Sequence, residues 1–280
     1  MSNNSFENDL EAGQYIDVAG VKTHYHDAGE GPVILLVHGS GPGVSAWANW
    51  RGVIPSLSEK FRVIAHDQLG FNGTPVGTSG RTDRASWTEH AFGLMDALGI
   101  DHFSVLGNSM GGSVALSMAT ARPESVGRIA VMGTMGLPGP VPPGLDELWG
   151  YTPSEQNMRR AIELLAYDQT INTPELVRLR LAASMAPGAD EAWQAMFPAP
   201  RQRWWDDLAL TPDELRSIRQ PTLMIHGLQD AVIPFRETSL RLLDFLPDAR
   251  LHVLGECGHW VQIEQTAAFL HLLMGFYGDK

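Results

Sequence analysis

Gly107-Asn108-Ser109-Met110-Gly111 joins an apolar run, Phe103-Ser104-Val105-Leu106, to a segment carrying Val114, Leu116, Met118 and Ala119. The first reads as a short buried strand and the second as a helix. A serine between strand end and helix start, with glycine two positions to either side, fits a nucleophile elbow. The turn is sharp, and side chains at the flanking positions would collide with neighbouring backbone, which calls for glycine. Such a turn lifts the serine oxygen into a cleft and aims the helix N-terminus at any oxyanion formed there. Five residues of this kind arise by chance; the strand-to-helix context makes them informative.

Working outward, Gln14–Val18 and residues 21–26 alternate around Ala19-Gly20, which predicts a hairpin. Val33–Val37 is continuously apolar, as a strand buried on both faces should be. Arg62–His66 and residues 128–132, 222–225 and 251–254 read as further strands. Apolar residues at 87, 91, 94, 95 and 98 have the spacing of an amphipathic helix, and residues 238–245 and 266–277 also look helical. Strands alternating with helices imply an α/β fold with a mostly parallel, eight-stranded sheet covered on both faces. The alternation breaks at Leu137-Pro138-Gly139-Pro140-Val141-Pro142-Pro143-Gly144, where regular structure is excluded. Beyond this stretch the chain is helical in character, clearest at 158–167 and 174–185. The expected organisation is a core of residues 1–136 and 218–280 with a helical lid, 137–217, inserted after the sixth strand. It would lie over the carboxyl edge of the sheet, where ligands bind in open parallel sheets.

The 280 residues suffice for a large core, and no apolar stretch approaches the ~20 residues of a membrane helix. The first twelve residues are polar and acidic, unlike a signal or transit peptide, and read as a flexible lead-in. One cysteine, Cys257, excludes an internal disulfide framework and agrees with a reducing cytoplasm. The net charge of −12, from 20 basic and 32 acidic residues without a basic cluster, argues against nucleic acid as the main partner. An anionic substrate would therefore need a local cation.

A serine hydroxyl is a poor nucleophile until a base takes its proton. Of the ten histidines, His24, His26 and His66 have structural roles in strands. His259, in Gly255-Glu256-Cys257-Gly258-His259-Trp260 directly after the last strand, would be carried over the sheet edge. Its carboxylate partner must follow a strand on the same edge. Asp230, in His226-Gly227-Leu228-Gln229-Asp230, does so. Asp67 precedes the nucleophile in the chain and suits loop support, and Asp101 lies at the wrong end of its strand. The order Ser109, Asp230, His259 is the one found in α/β-hydrolases. His38-Gly39-Ser40-Gly41-Pro42-Gly43 can bend amides toward the cleft, and the backbones of Ser40 and Met110 are the expected oxyanion donors. The loop lacks the endings of a phosphate-binding or dinucleotide-binding glycine loop. No HExxH or cysteine pair suggests a metal, and no cofactor is expected.

These residues resemble the meta-cleavage product hydrolases, carbon–carbon bond hydrolases of bacterial aromatic-ring degradation within the α/β-hydrolase superfamily. The similarity runs from about residue 14 to the C-terminus. It is carried by His38–Gly43 with Trp47-Ala48-Asn49-Trp50-Arg51, by Asn108 before the serine, by Trp260 after the histidine, and by Tyr167-Asp168-Gln169 followed by Leu179-Arg180. The resemblance implies C5–C6 cleavage of a 2-hydroxy-6-oxo-hexa-2,4-dienoate to 2-hydroxypenta-2,4-dienoate and a carboxylic acid. Arg180 would hold the keto-acid end; Asn108, Asn49, Trp260, Gly39 and Gly41 would contact substrate. Similarity to hydrolases of monocyclic pathways points to methyl or another small alkyl group at C6, with Leu165, Trp193, Trp204 and Ile233 as expected wall residues. A cytoplasmic homodimer is also implied. One departure is Asn72 in Gly70-Phe71-Asn72, where relatives have glycine; asparagine tolerates a left-handed backbone. A carboxylesterase or lactonase with the same triad remains the alternative, and a non-catalytic receptor would not need all three triad members.

Overall fold

A computed structural model describes residues 11–77 and 80–278; the lead-in expected over residues 1–10 lies outside them. Eight strands form one sheet in the order β1-β2-β4-β3-β5-β6-β7-β8. They are β1 (Gln14–Val18), β2 (Val21–Ala28), β3 (Val33–Val37), β4 (Arg62–His66), β5 (Phe103–Asn108), β6 (Val126–Met132), β7 (Thr222–Gly227) and β8 (Ala249–Leu254). β1 and β2 form the expected hairpin, β2 also pairs antiparallel with β4, and all remaining pairs are parallel. Because strand side chains alternate between faces, Leu35 and Val37 of β3 enter one apolar core while Ile34 and Leu36 enter another on the opposite face. That double burial is why β3 reads as an unbroken apolar run.

The helices before the insertion include α1 (Ala46–Trp50), α2 (Ile54–Leu57), α3 (Arg84–Ala97) and α4 (Met110–Ala121). α3 starts at a reciprocal cap between Asp83 and Ser86, which satisfies amides at its first turn. α4 is buried over nearly its whole length, hence its small and apolar residues. It lies so close to the sheet that a Cβ at Gly111 would stand 2.2 Å from the Val37 carbonyl oxygen.

Between β6 and β7 the chain builds α5 (Pro143–Trp149), α6 (Glu155–Leu165), a 3-10 turn at Gln169–Ile171, α7 (Pro174–Ser184), α8 (Ala189–Met196), α9 (Gln202–Leu208) and α10 (Pro212–Ser217). An aromatic stack organises these helices: the Trp149 and Phe197 rings lie 4.7 Å apart and nearly parallel, with Trp193 tilted against Phe197. Arg84 fastens them to α3, donating to the Asp207 backbone oxygen at 3.0 Å.

After β7 and β8 come α11 (Ser239–Leu242), α12 (Val261–Glu264) and α13 (Thr266–Gly278). The helix expected over 238–245 is thus only its central turn; beyond Leu242 the Asp244–Arg241 and Phe245–Leu242 bonds span three residues, as in tight turns. Asn72 does take a left-handed backbone, φ 42°, and its amide donates to Asp67 at 2.7 Å. Asp67 also accepts from His24 and from the Ala46 amide, so this carboxylate ties β2 and the start of α1 to the loop after β4.

Candidate active site

Ser109 sits between β5 and α4 with φ 56° and ψ −117°, a conformation that a non-glycine residue holds only when its surroundings impose it. They do. Its amide donates to the Met132 carbonyl at 2.9 Å, and its own carbonyl accepts from Gly112 and Met135. A Cβ at Gly107 would stand 2.3 Å from the Gly111 carbonyl oxygen, so the elbow closes only around glycine. The Ser109 hydroxyl is buried and makes no hydrogen bond among the described residues. The serine–imidazole hydrogen bond is therefore not formed in this structure; such bonds often tighten only once substrate is bound.

Asp230 and His259 are brought together from the loops after β7 and β8. His259 Nδ1 donates to Asp230 Oδ2 at 2.7 Å, which leaves Nε2 as the basic nitrogen. The other carboxylate oxygen accepts from the Val232 and Ile233 amides at 2.9 and 2.8 Å. His226 adds a further contact: its Nε2 donates to the Ile233 carbonyl at 2.8 Å and lies 3.1 Å from Asp230 Oδ2. Burial opposes ionisation of Asp230, but the His259 and His226 imidazoles and their hydrogen bonds outweigh it and hold the carboxyl well below the usual range. The loop bearing His259 is clamped by the inserted helices. The Leu165 carbonyl accepts from the His259 and Trp260 amides, and Glu264 accepts from Gly258, Tyr167 and Asp168.

The loop after β3 is set by His38, whose Nδ1 donates to the Gly39 carbonyl and whose Nε2 accepts from the Gln68 amide. Burial lowers the His38 pKa and keeps the ring neutral. Gly39 passes against the nucleophile: a Cβ there would meet the Ser109 Cβ at 2.9 Å. Among the described residues neither the Ser40 nor the Met110 amide is used in a backbone hydrogen bond. Met110 is also the first residue of α4, so its amide lies at the positive end of that helix. The Ser40 hydroxyl accepts from the Trp149 indole at 2.9 Å.

Two cavities meet here. A large one, about 900 Å³, is lined by Asn49, Arg51, Tyr151, Arg180, Trp193 and Trp260, among others. A narrow one, about 20 Å³, lies between Gly39, Asn108, Leu165 and His259 and shares Gly41, Asn49, Arg180, Trp260 and Gln262 with the first. Arg180 donates to the Pro42 carbonyl at 3.1 Å and lies 5.1 Å from the Trp260 ring, but its Nε has no hydrogen-bond partner among the described residues. Desolvation, with a smaller contribution from nearby Arg51, lowers its pKa to about 10. Asn108 donates to the Met132 carbonyl at 3.3 Å, and the Asn49 amide nitrogen is buried without a partner among the described residues.

Two expected wall residues line neither cavity. Trp204 packs edge-on against Phe197, and the Ile233 amide supports Asp230. Trp149 and Gln262 carry no sequence signal of their own; each is at the site because distant segments meet. Among the described residues no group of three or more histidine, cysteine or carboxylate side chains converges to hold a metal ion.

Residues 32–266 match the family described as the alpha/beta hydrolase fold. The chain is 46% identical over 276 residues to the 2-hydroxymuconate semialdehyde hydrolase of Pseudomonas sp. (strain CF600), covering 99% of this chain and 97% of that one. It is 47% identical over 266 residues to the 2-hydroxy-6-oxo-2,4-heptadienoate hydrolase of Pseudomonas putida F1, covering 95% and 96%. A meta-cleavage product hydrolase from Pseudomonas fluorescens IP01 superposes with a TM-score of 0.94 at 47% identity, over 96% of this chain and 99% of that one.

Proposed function

Because this chain belongs to the meta-cleavage product hydrolases of the α/β-hydrolase superfamily, we propose that it hydrolyses the C5–C6 bond of a 2-hydroxy-6-oxo-hexa-2,4-dienoate. The products are 2-hydroxypenta-2,4-dienoate and a carboxylic acid. The observation that carries this over an ester hydrolase is Arg180, a partly buried cation with no carboxylate partner among the described residues, in a cavity that adjoins His259. An ester substrate has little need for it; a keto-acid supplies its missing counter-ion.

A carbon leaving group is unstable as a carbanion, so the dienol first ketonises. The O–H proton at C2 is released, a proton is added at C5, and the two double bonds move to C2=O and C3=C4. Arg180 holds the carboxylate during this step, and Asn49, Asn108, Trp260, Gly39 and Gly41 complete the contacts. His259 Nε2 then takes the Ser109 proton as the serine oxygen attacks the C6 carbonyl. The oxyanion is met by the Ser40 and Met110 amides, each such donor being worth about 3 kcal/mol of barrier. Breaking C5–C6 delocalises the electron pair into the keto-acid as a dienolate, which takes up the proton held by His259, and water, now deprotonated by the neutral His259, releases the acyl group. Asp230 fixes the imidazole tautomer throughout.

The C6 substituent is methyl or another small group. This follows the heptadienoate named for one relative, which carries a methyl ketone; the buried Trp149 indole, bonded to Ser40, holds the oxyanion loop in place. The proposal includes the division into a core (1–136, 218–280) and a lid (137–217), with the lid covering the site. It also includes a cytoplasmic homodimer, for which the open edge of β8 and the exposed Leu240 and Leu243 offer a surface. Among the described residues no helix is long and apolar enough to cross a membrane. The test is a kcat/KM series over dienoates with hydrogen, methyl, isopropyl and phenyl at C6, beside a nitrophenyl ester. The reading requires a preference for the small substituents. Ester turnover with every dienoate left intact would instead make the protein an esterase.

A further inference from the structure

Gln262, in α12 directly after Trp260, is 2% exposed and lines both cavities. Its Nε2 donates to the Asn49 backbone carbonyl at 3.2 Å. A carbonyl can only accept, so this bond fixes which way the amide faces. The other end, Oε1, is buried and has no hydrogen-bond partner among the described residues. Beside it on the same narrow cavity, Asn49 Nδ2 is likewise buried and unpartnered among the described residues. A lone buried acceptor and a lone buried donor on one cavity are an arrangement folded proteins avoid unless a ligand or water completes it.

The inference rests on the proposed dienoate substrate. Of that substrate's polar groups, the carboxylate and the 6-oxo oxygen only accept; the 2-hydroxyl alone donates. The Arg180 guanidinium, which lines the same narrow cavity, anchors the carboxylate one carbon away from that hydroxyl. We propose that Gln262 is a positioning and specificity-determining residue whose Oε1 accepts a hydrogen bond from the substrate 2-hydroxyl, with Asn49 Nδ2 donating to the same oxygen. The pair reads the dienol: a molecule without the hydroxyl leaves both atoms buried and unsatisfied, the situation in which a site discriminates most strongly. Holding that oxygen also fixes the plane of the diene for protonation at C5. When the hydroxyl becomes a ketone, the Gln262 contact ends and the Asn49 donor remains.

The test compares two probes on one enzyme. 2-Hydroxy-6-oxo-hepta-2,4-dienoate carries the hydroxyl; p-nitrophenyl acetate uses Ser109, His259 and the oxyanion amides without it. In Gln262→Met, kcat/KM for the dienoate falls about tenfold or more relative to that for the ester. A ratio within twofold of wild type, whether both activities fall or neither does, overturns the proposal, and this ratio is independent of the fraction folded. A second measurement leaves Gln262 in place: Ser109→Ala protein binds the hydroxylated dienoate at least about tenfold more tightly than 6-oxohepta-2,4-dienoate. Equal affinity, as expected if a water bridges the two amides, also overturns it. If wild-type protein fails to bleach the dienoate, the proposed function itself fails; bleaching with an unchanged ratio removes only the role of Gln262.

Discussion

Replacing Arg180 by methionine should weaken catalysis and leave the folded protein no less stable. The guanidinium is partly buried, desolvation lowers its pKa to about 10, and among the described residues it bonds one backbone carbonyl and lies over the face of Trp260. Replacing this ion by an apolar side chain of similar volume relieves part of a burial penalty that reaches several kcal/mol for a fully buried ion, Arg180 being partly buried. Against this stand about 1 kcal/mol for the hydrogen bond to Pro42 and about 0.5–1 kcal/mol for the cation–π contact. The sum is near zero or stabilising, so thermal denaturation without substrate should show a midpoint at or above that of wild type. Substrate binding goes the other way. A desolvated carboxylate–guanidinium pair that loses one partner typically gives up about 2–4 kcal/mol, a loss in kcat/KM of roughly 30- to 1000-fold at about 1.4 kcal/mol per decade. Steady-state bleaching of the dienoate reads this loss, and ester hydrolysis by the same preparation should change less than about threefold. A dienoate kcat/KM within threefold of wild type would refute the reasoning.

Asp230→Asn keeps the two amide contacts but presents a neutral partner to His259 Nδ1, so kcat should fall by about 10⁴ with substrate binding retained. Equilibrium binding beside turnover checks this. Gly111→Ala places a methyl 2.2 Å from the Val37 carbonyl oxygen; α4 must move from the sheet, and both activities should fall with a lowered melting midpoint. Stability should decline as pH falls from about 6.5 toward 4. His66 is buried with neither ring nitrogen hydrogen-bonded among the described residues, and burial, then His90 and His38, push its pKa well down. Burial lowers His90 to about 4. Both stay neutral when folded but take a proton below about 6.5 when unfolded, each adding about 1.4 kcal/mol per pH unit of lost stability. His66→Leu should therefore flatten the slope of denaturation free energy between pH 6 and 5 by about that amount; an unchanged slope would count against it.

The buried strands were legible as short apolar runs and β1 and β2 as alternating ones, although β2, β5, β6, β7 and β8 each extend two residues beyond the run that marks them. β3 and β4 begin and end where their composition changes, at Val33–Val37 and Arg62–His66. Ser109 was legible because its strained turn demands glycine at 107 and 111, and local steric demands leave local sequence marks. α11 was overextended because the apolar spacing across 238–245 does not reveal the turns that close it. The pocket was less legible still. Ile233 reads as a wall residue, yet it lines neither cavity, and its amide supports the Asp230 carboxylate. Trp149 and Gln262 reach the site from segments more than a hundred residues apart, through a bond to Ser40 and a bond to the Asn49 backbone. Contacts made by folding over such distances leave no spacing to read.

The central claim is that Ser109 and its partners hydrolyse a carbon–carbon bond in a 2-hydroxy-6-oxo-dienoate. Its most direct test is stopped-flow absorbance of wild-type and Ser109→Ala protein mixed with the C6-methyl dienoate, with the products identified. Wild type should bleach the chromophore and release 2-hydroxypenta-2,4-dienoate with acetate, while Ser109→Ala binds the dienoate and releases neither. Release of acetate by Ser109→Ala at the wild-type rate, or an unbleached chromophore with wild type, would contradict the account.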